Sequence, residues 1–198
     1  MTSLTETQEP TRRGGRGARK RILTAASELF SFEGINATGV GRIASKASVS
    51  KRTLYQHFPS KATLVEEYLS QLRQEAEGTP ADKSGTTARA QLLALFELTD
   101  ASEARMRGCP FHNAAVEAAG AMPGVEHIVH LHKRDYVDGL TQLAREAGAA
   151  DPDLLGYQIA LLYEGASGLS TSLNDPAPWA RARTAAEALI DQAISRPA

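Results

Sequence analysis

The sequence is poor in cysteine and in long apolar runs, and both shortages exclude classes of protein. Its 198 residues include one cysteine, which excludes a disulfide framework within the chain and favours a reducing compartment. No apolar run approaches the roughly 20 residues that span a bilayer. No apolar signal core follows the basic N-terminal stretch. We therefore expect a cytoplasmic location and no membrane partner.

The sequence also lacks the periodicity of strands and the motifs of common enzyme sites. It has no Gly-rich phosphate loop, and Gly165-Ala166-Ser167-Gly168-Leu169 resembles a nucleophile elbow only in spacing, because no strand precedes it. His127, His130 and His132 do not suit a metal ion, since positions 130 and 132 of a helix point apart. We expect no catalytic residue, no metal and no cofactor, in an all-α protein of about nine helices.

The chain does have a strongly uneven distribution of charge. Between Pro10 and Ala62, eleven Lys or Arg residues stand against two acidic residues, whereas residues 79–198 contain ten bases and fifteen acids. The formal net charge of −1 therefore conceals one end that suits a polyanion and one that does not. This polarity favours a nucleic acid as the partner of the N-terminal part.

Two short helical patterns meet at a tight turn in residues 38–58. Thr38 is a candidate cap for the first helix and Ser50 for the second, with residues 47–49 as the turn. The apolar positions, which would face inward, are Val40, Ile43, Ala44, Leu54 and Phe58. The polar positions of the second helix are Lys51, Arg52, Thr53, Tyr55, Gln56 and His57. Such side chains suit phosphate oxygens and base edges, although an ordinary helical hairpin with a solvated face fits the same spacing.

Many positions between Ile22 and Leu69 match a known pattern. The matched residues are Ile22, Leu23, Ala25, Ala26, Leu29, Phe30, Gly34, Thr38, Ile43, Ala44, Ala47, Val49, Ser50, Thr53, Leu54, Tyr55, His57, Phe58, Lys61 and Leu64. The segment thereby resembles the DNA-binding domain of the tetracycline-repressor (TetR/AcrR) family. Beyond this first third of the chain, only the length and the helical pattern agree with the family.

The resemblance implies a function and a role for each matched residue. It implies a ligand-responsive transcriptional regulator, usually a repressor, which binds a palindromic double-stranded DNA operator as a homodimer and is released by a small-molecule effector. Thr38, Tyr55 and Lys61 would hold phosphates, and His57 would touch the DNA backbone. The implied base readers are Lys51, Arg52, Thr53 and Gln56.

Three positions depart from the family pattern. Ser48 stands where the turn commonly has glycine, at a point that often requires a positive φ. Arg52 replaces a common glycine and adds charge to the reading face, and Gly39 replaces a second threonine or serine. The operator sequence therefore cannot be carried over from relatives.

The charge pattern and the resemblance divide the chain into three parts. Residues 1–18 are polar and glycine-rich, which indicates a disordered basic arm, either a solvated tail or a segment that reaches DNA. Residues 19–65 form the helix-turn-helix DNA-binding domain of three helices. Residues 66–198 form a helical domain for effector binding and dimerisation.

Aromatic, soft and hydrogen-bonding side chains recur near the predicted helix breaks and inward stripes of residues 66–198. These candidates for a mostly apolar effector site are Phe96, Met106, Cys109, Phe111, Val116, His132, Tyr136 and Tyr163. Each of them, taken singly, fits a plain core better than a ligand site. Cys109 is also close in sequence to Arg105 and Arg107, as in a redox-sensing thiol, but without a second cysteine a buried or pocket-lining thiol is favoured.

The last two predicted helices carry the signals of a homodimer interface. The eighth helix ends near Leu173 and contains Gly165, Ala166, Gly168 and Ser170 among larger apolar residues, so that another helix could approach closely. The ninth has an apolar stripe from Trp179 to Ala193. The two helices either pair across a two-fold axis or pack within one subunit. A small helical enzyme or a protein-interaction bundle without DNA binding remains the alternative function.

Overall fold

The computed structural model describes residues 17–78, 86–97 and 108–195. In these ranges the chain forms nine α-helices and no strand, which confirms the all-α prediction. In chain order they are α1 (Ala18–Glu33), α2 (Val40–Lys46), α3 (Lys51–His57), α4 (Lys61–Gly78), α5 (Ala88–Ala94), α6 (Pro110–Ala118), α7 (Pro123–Glu146), α8 (Pro152–Leu173) and α9 (Ala177–Ser195). A search of the described helices found none with the length and apolar character that a bilayer crossing requires.

Short-range hydrogen bonds determine several helix ends as the sequence predicts. The hydroxyl of Ser50 accepts a bond from the backbone N–H of Thr53 at 3.0 Å, and that of Ser60 accepts one from Thr63 at 3.0 Å. Gly34 ends α1 with a φ of 97°, a value that glycine adopts without the steric cost of a Cβ. These ends are therefore encoded within a few residues of each helix.

The predicted cap at Thr38 is wrong. The N-cap of α2 is Gly39, and no side chain caps this helix. Thr38 is fully buried, and its hydroxyl donates to the carbonyl oxygen of Gly34 at 2.7 Å. A buried hydroxyl needs such a partner, so Thr38 fastens the α1–α2 loop to the end of α1.

The described residues pack into two hydrophobic cores. The first core joins α1–α4 to α6 and to the first half of α7, and the second joins α5, the rest of α7, α8 and α9. Helix α7 contributes Val125 and Val129 to the first core and Leu140 and Ala144 to the second. The domain boundary predicted at residue 65 falls inside α4, which is continuous. Helix α7, which contributes to both cores, links the two packed regions.

The contact between α7 and α8 depends on a glycine. A Cβ built on Gly156 would lie 2.8 Å from the backbone nitrogen of Thr141 and 2.9 Å from its Cα. Backbone atoms cannot move aside as a flexible side chain can, so only glycine allows this approach. Gly139, by contrast, has no atom within 4 Å of a Cβ built on it.

Candidate nucleic-acid interface

Helices α1–α3 form a helix-turn-helix unit, residues 18–57, whose turn has the geometry expected from the sequence. Ser48 has a φ of 52°, in the left-handed region that favours glycine. The backbone N–H of Ser48 donates to Ser45 at 3.0 Å, and that of Val49 donates to Ala44 at 2.9 Å. The turn therefore closes normally, with a serine in a position where a residue with a Cβ is strained.

Two buried side chains determine which face of α3 points outward. Leu54 and Phe58 are 0% and 1% exposed. Burial of such a side chain contributes roughly 1.5–3 kcal/mol, so α3 is held firmly in one rotational setting. The guanidinium of Arg19 lies 5.2 Å from the centre of the Phe58 ring and covers its outer side.

The opposite face of α3 is polar and open to solvent. The exposed side chains are Lys51, Arg52, Tyr55, Gln56 and His57. Thr53 is half-buried, and its hydroxyl lies 2.9 Å from that of Ser50. This face is rich in hydrogen-bond donors and has the dimensions of one side of a helix, which fits a major groove of DNA.

Ion pairs neutralise much of the positive charge around α3 but not the charge on it. Arg42 pairs with Glu33 at 2.6 Å and Lys46 with Glu28 at 2.7 Å. Arg19 pairs with Glu67 of α4 at 2.8 Å. Lys51 and Arg52 form no ion pair with any residue in the described ranges. Lys20 and Arg21 of α1 likewise form no ion pair in the described ranges, so the uncompensated charge of the unit lies on the polar face of α3 and at the start of α1.

Two of the predicted phosphate contacts have surroundings that the sequence did not reveal. Thr38 is buried with its hydroxyl engaged by Gly34, so its side chain is not available to a phosphate in this structure. Lys61 is half-buried at the start of α4. Burial lowers the pKa of its ammonium group, and the negative charge of Glu117 in α6 opposes that effect.

Known proteins share both the sequence of this unit and the fold of the whole chain. Residues 22–68 match the family described as bacterial regulatory proteins, tetR family. Over nine-tenths of the chain, the structure resembles the crystal structure of SCO4454, a TetR-family transcriptional regulator from Streptomyces coelicolor. The TM-score is 0.77, the identity is 29%, and 96% of that chain is covered. Residues 22–68 are thus a tetR-family domain, in a chain whose fold resembles that of a TetR-family regulator.

Two curated HTH-type transcriptional regulators match less than half of the chain. The transcriptional repressor KstR2 of Rhodococcus jostii is 37% identical over 95 residues, which is 45% of this chain and 47% of KstR2. The transcriptional activator FasR of Mycolicibacterium smegmatis is 46% identical over 59 residues, 30% of this chain and 26% of FasR. The match to these relatives thus spans about half of their length or less. All are named as regulators rather than enzymes, in agreement with the sequence-based prediction.

Beyond the tetR-family unit, a polar cluster lies among α6, α7 and α8. The ammonium group of Lys133 lies 2.5 Å from the carboxylate of Glu164 and 3.7 Å from the Cys109 sulfur. His112 Nδ1 lies 3.7 Å from the other Glu164 oxygen. The His132 ring stacks on Phe111 with 3.5 Å between ring centres. Burial, followed by the charges of Lys133 and a neighbouring arginine, lowers the pKa of His132, so its ring is neutral at pH 7.

A separate group of aromatic rings surrounds Tyr163. Its ring centre lies 5.1 Å from that of Trp179, 5.6 Å from that of Tyr136 and 6.4 Å from that of Phe96. Burial raises the pKa of both tyrosines, which keeps their hydroxyls protonated as hydrogen-bond donors. The Tyr136 hydroxyl and the Trp179 indole nitrogen are buried without a partner in the described part of the chain. Such atoms favour a ligand with hydrogen-bonding groups.

The structure separates the predicted effector residues. Phe111 and Cys109 pack in the first core, whereas Phe96, Tyr136 and Tyr163 pack in the second, and His132 touches the first. Val116 of α6 belongs to neither core and is 67% exposed. Met106 lies outside the described residues.

Lys133, Glu164 and Trp179 are further neighbours of the effector candidates that the sequence did not single out. Glu164 had a readable signal, since it is the one charged residue between Leu154 and Leu173. A charge within an otherwise uncharged helical stretch needs a partner, and α7 supplies it. Trp179 had been assigned only to a buried stripe.

An apolar strip runs along the outer face of α8. Its exposed large side chains are Leu154, Tyr157, Leu161, Leu169 and Leu173, with exposures from 54% to 70%. Gly165 and Gly168 lie on the same face, and nothing in the described ranges lies within 4 Å of a Cβ built on either. The strip borders a groove of about 340 Å³ whose other wall comes from α9.

The apolar stripe predicted on α9 packs inside the subunit instead of facing outward. Trp179, Ala182, Ala186 and Ile190 are buried in the second core against α8 and its neighbours. Only the edge of α9, through Arg181 and residues near it, reaches the groove beside α8. The outward apolar surface is therefore mainly that of α8.

Proposed function

We propose that this tetR-family protein is a cytoplasmic, DNA-binding transcriptional repressor that forms a homodimer on a palindromic operator and is released by a small, mostly apolar effector. The observation that carries the proposal is the polar face of α3, which is exposed and carries the unpaired charges of Lys51 and Arg52. Residues 19–65 would form the DNA-binding domain and residues 66–198 the effector and dimerisation domain.

The roles of the DNA-contacting residues are those that the resemblance to the tetR family implies. Lys51, Arg52, Thr53 and Gln56, on the exposed or half-buried face of α3, would read bases. Tyr55, His57 and Lys61 would hold the DNA backbone. The burial of Thr38 makes its role the support of the α1–α2 loop.

Dimerisation through the apolar strip of α8 supports the palindromic operator. Five large apolar side chains exposed along one helix are costly to leave in water, and Gly165 and Gly168 permit a close helix crossing. A two-fold axis at this strip would present two α3 helices to two half-sites. The small-molecule site would lie near Phe111 and His132 or beside Tyr136 and Tyr163. An effector would act by favouring a distance between the two helix-turn-helix units of the dimer that no longer matches the operator.

A DNA-binding experiment tests the function directly. The full-length protein is offered random duplexes and the region upstream of its own gene, and the retained duplex is titrated by fluorescence anisotropy beside a scrambled duplex. We expect tighter binding of the selected duplex, two protomers per duplex, and an affinity that falls steeply with salt. Equal binding of both duplexes, or no binding at low salt, would contradict the proposal.

A further inference from the structure

Two hydrogen bonds join the α1–α2 loop of the helix-turn-helix unit to the last turn of α6. The backbone N–H of Asn36 donates to the Glu117 carboxylate at 2.6 Å. The side-chain amide of Asn36 donates to the Glu117 carbonyl oxygen at 3.0 Å. The two residues are 81 positions apart, so this contact exists only because the fold brings α6 against the unit.

The same carboxylate acts on a proposed DNA contact. The negative charge of Glu117 favours the charged form of Lys61, whose ammonium group is otherwise disfavoured by burial. Glu117 therefore influences both the loop that leads into α2 and the first residue of α4. Both belong to the part of the chain that would face DNA.

The opposite end of α6 lies at one of the two effector candidate sites. Phe111, in the first turn, stacks on His132 of α7, and His112 lies beside Glu164 of α8. Helix α6 has nine residues and is thus only about 13 Å long, which is short enough to move as one rigid body. A shift at Phe111 would displace Glu117 by a similar amount.

We propose that Glu117 is the positioning residue through which α6 sets the orientation of the helix-turn-helix unit. This inference rests on the proposed function, because it assumes that DNA affinity is what α6 controls. It places the connection between α6 and the helix-turn-helix unit at one carboxylate.

A double-mutant cycle on the full-length protein tests the proposal. Wild type, Asn36→Ala, Glu117→Ala and the double variant are titrated with the duplex selected by the wild-type protein. Asn36→Ala removes the side-chain bond to the Glu117 carbonyl oxygen, and Glu117→Ala removes the carboxylate bond to the Asn36 backbone N–H. We expect each single change to weaken binding by about five- to tenfold, and the double change, which removes both bonds, to weaken it further. Glu117→Gln should fall between, since its amide oxygen can still accept from Asn36 while the charge near Lys61 is lost.

Glu126 provides the matched control. Its carboxylate also accepts a backbone N–H, from Gly120 at 2.6 Å, but this bond stays within the α6–α7 corner. Glu126→Ala should leave DNA affinity within about twofold, since no bond to the helix-turn-helix unit is lost. Equal effects of Glu117→Ala and Glu126→Ala, or a double variant of Asn36 and Glu117 that binds as tightly as wild type, would overturn the proposal.

Amide hydrogen exchange separates failure of this inference from failure of the proposed function. Glu117→Ala should speed exchange in the α1–α2 loop, whereas Glu126→Ala should not. Unchanged exchange in the loop would overturn the coupling, whatever the DNA result. If the wild-type protein bound no duplex but Glu117→Ala still sped exchange in the α1–α2 loop, the structural coupling would stand and the proposed DNA-binding function would be rejected. Circular dichroism melting of each variant checks that the fold is kept.

Discussion

The helix-turn-helix unit and the α7–α9 region expose opposite kinds of surface. The unit buries its apolar side chains around Leu54 and Phe58 and exposes the polar face of α3. Helix α8 exposes large apolar side chains such as Leu161 and keeps charged Glu164 in contact with α7. The first surface suits a polyanion and the second suits another apolar face, so the two regions are built for different partners.

The apolar strip of α8 should carry the largest effect on function. Leu161→Glu places a charge at the centre of the strip and should prevent dimerisation. Loss of the second half-site should lower operator affinity on the order of a hundredfold or more. Sedimentation velocity and anisotropy with the selected duplex measure the two effects. Val116→Glu is the control, because Val116 is similarly exposed but lies on α6; a dimer that survives Leu161→Glu would remove α8 from the interface.

The polar face of α3 should divide into residues that read sequence and residues that position the protein. Gln56→Ala and Lys51→Ala should each change the preferred bases, at a cost on the order of 1–3 kcal/mol for the selected duplex. Tyr55→Phe and Lys61→Ala should weaken all duplexes alike, and the lysine change should also reduce the salt dependence. Titration against a panel of single-base variants distinguishes the groups. Uniform weakening by all four changes would reject this division.

The close contact of α7 and α8 should determine stability without affecting DNA contacts directly. Gly156→Ala drives a methyl group against the backbone of Thr141 and should lower the free energy of unfolding by roughly 1–3 kcal/mol. Gly139→Ala, on the open side of α7, should raise it slightly, because alanine favours a helix. Urea denaturation followed by circular dichroism compares the two. Equal stabilities would mean that α7 and α8 can separate at no cost.

The turn before α3 should show the smallest effect. Ser48→Gly removes a Cβ from a residue with positive φ and should stabilise the unit by about 0.5–1 kcal/mol. Ser45→Gly, in the helical part of α2, should destabilise it by a similar amount. The same urea measurement applies. A loss of stability in Ser48→Gly would show that the serine side chain supports the turn.

Much of the local structure could be read from the sequence because its causes are local. The caps at Ser50 and Ser60, the end of α1 at Gly34 and the positive φ at Ser48 depend on residues three or four positions away. The inward positions of α3 follow from i, i+4 spacing. The uneven distribution of charge likewise follows from counting the basic and acidic residues in each part of the sequence.

The sequence by itself therefore determined the helices, the turn, the polar face of α3 and the family. Tertiary structure decided what covers each face: it buried Thr38, exposed Val116, packed the α9 stripe inside the subunit and left the α8 strip open. It also joined Asn36 to Glu117 and Lys133 to Glu164. The physical reason is that periodicity shows which side of a helix is apolar but not which neighbour lies against it. Contacts between distant residues depend on how all the helices pack together.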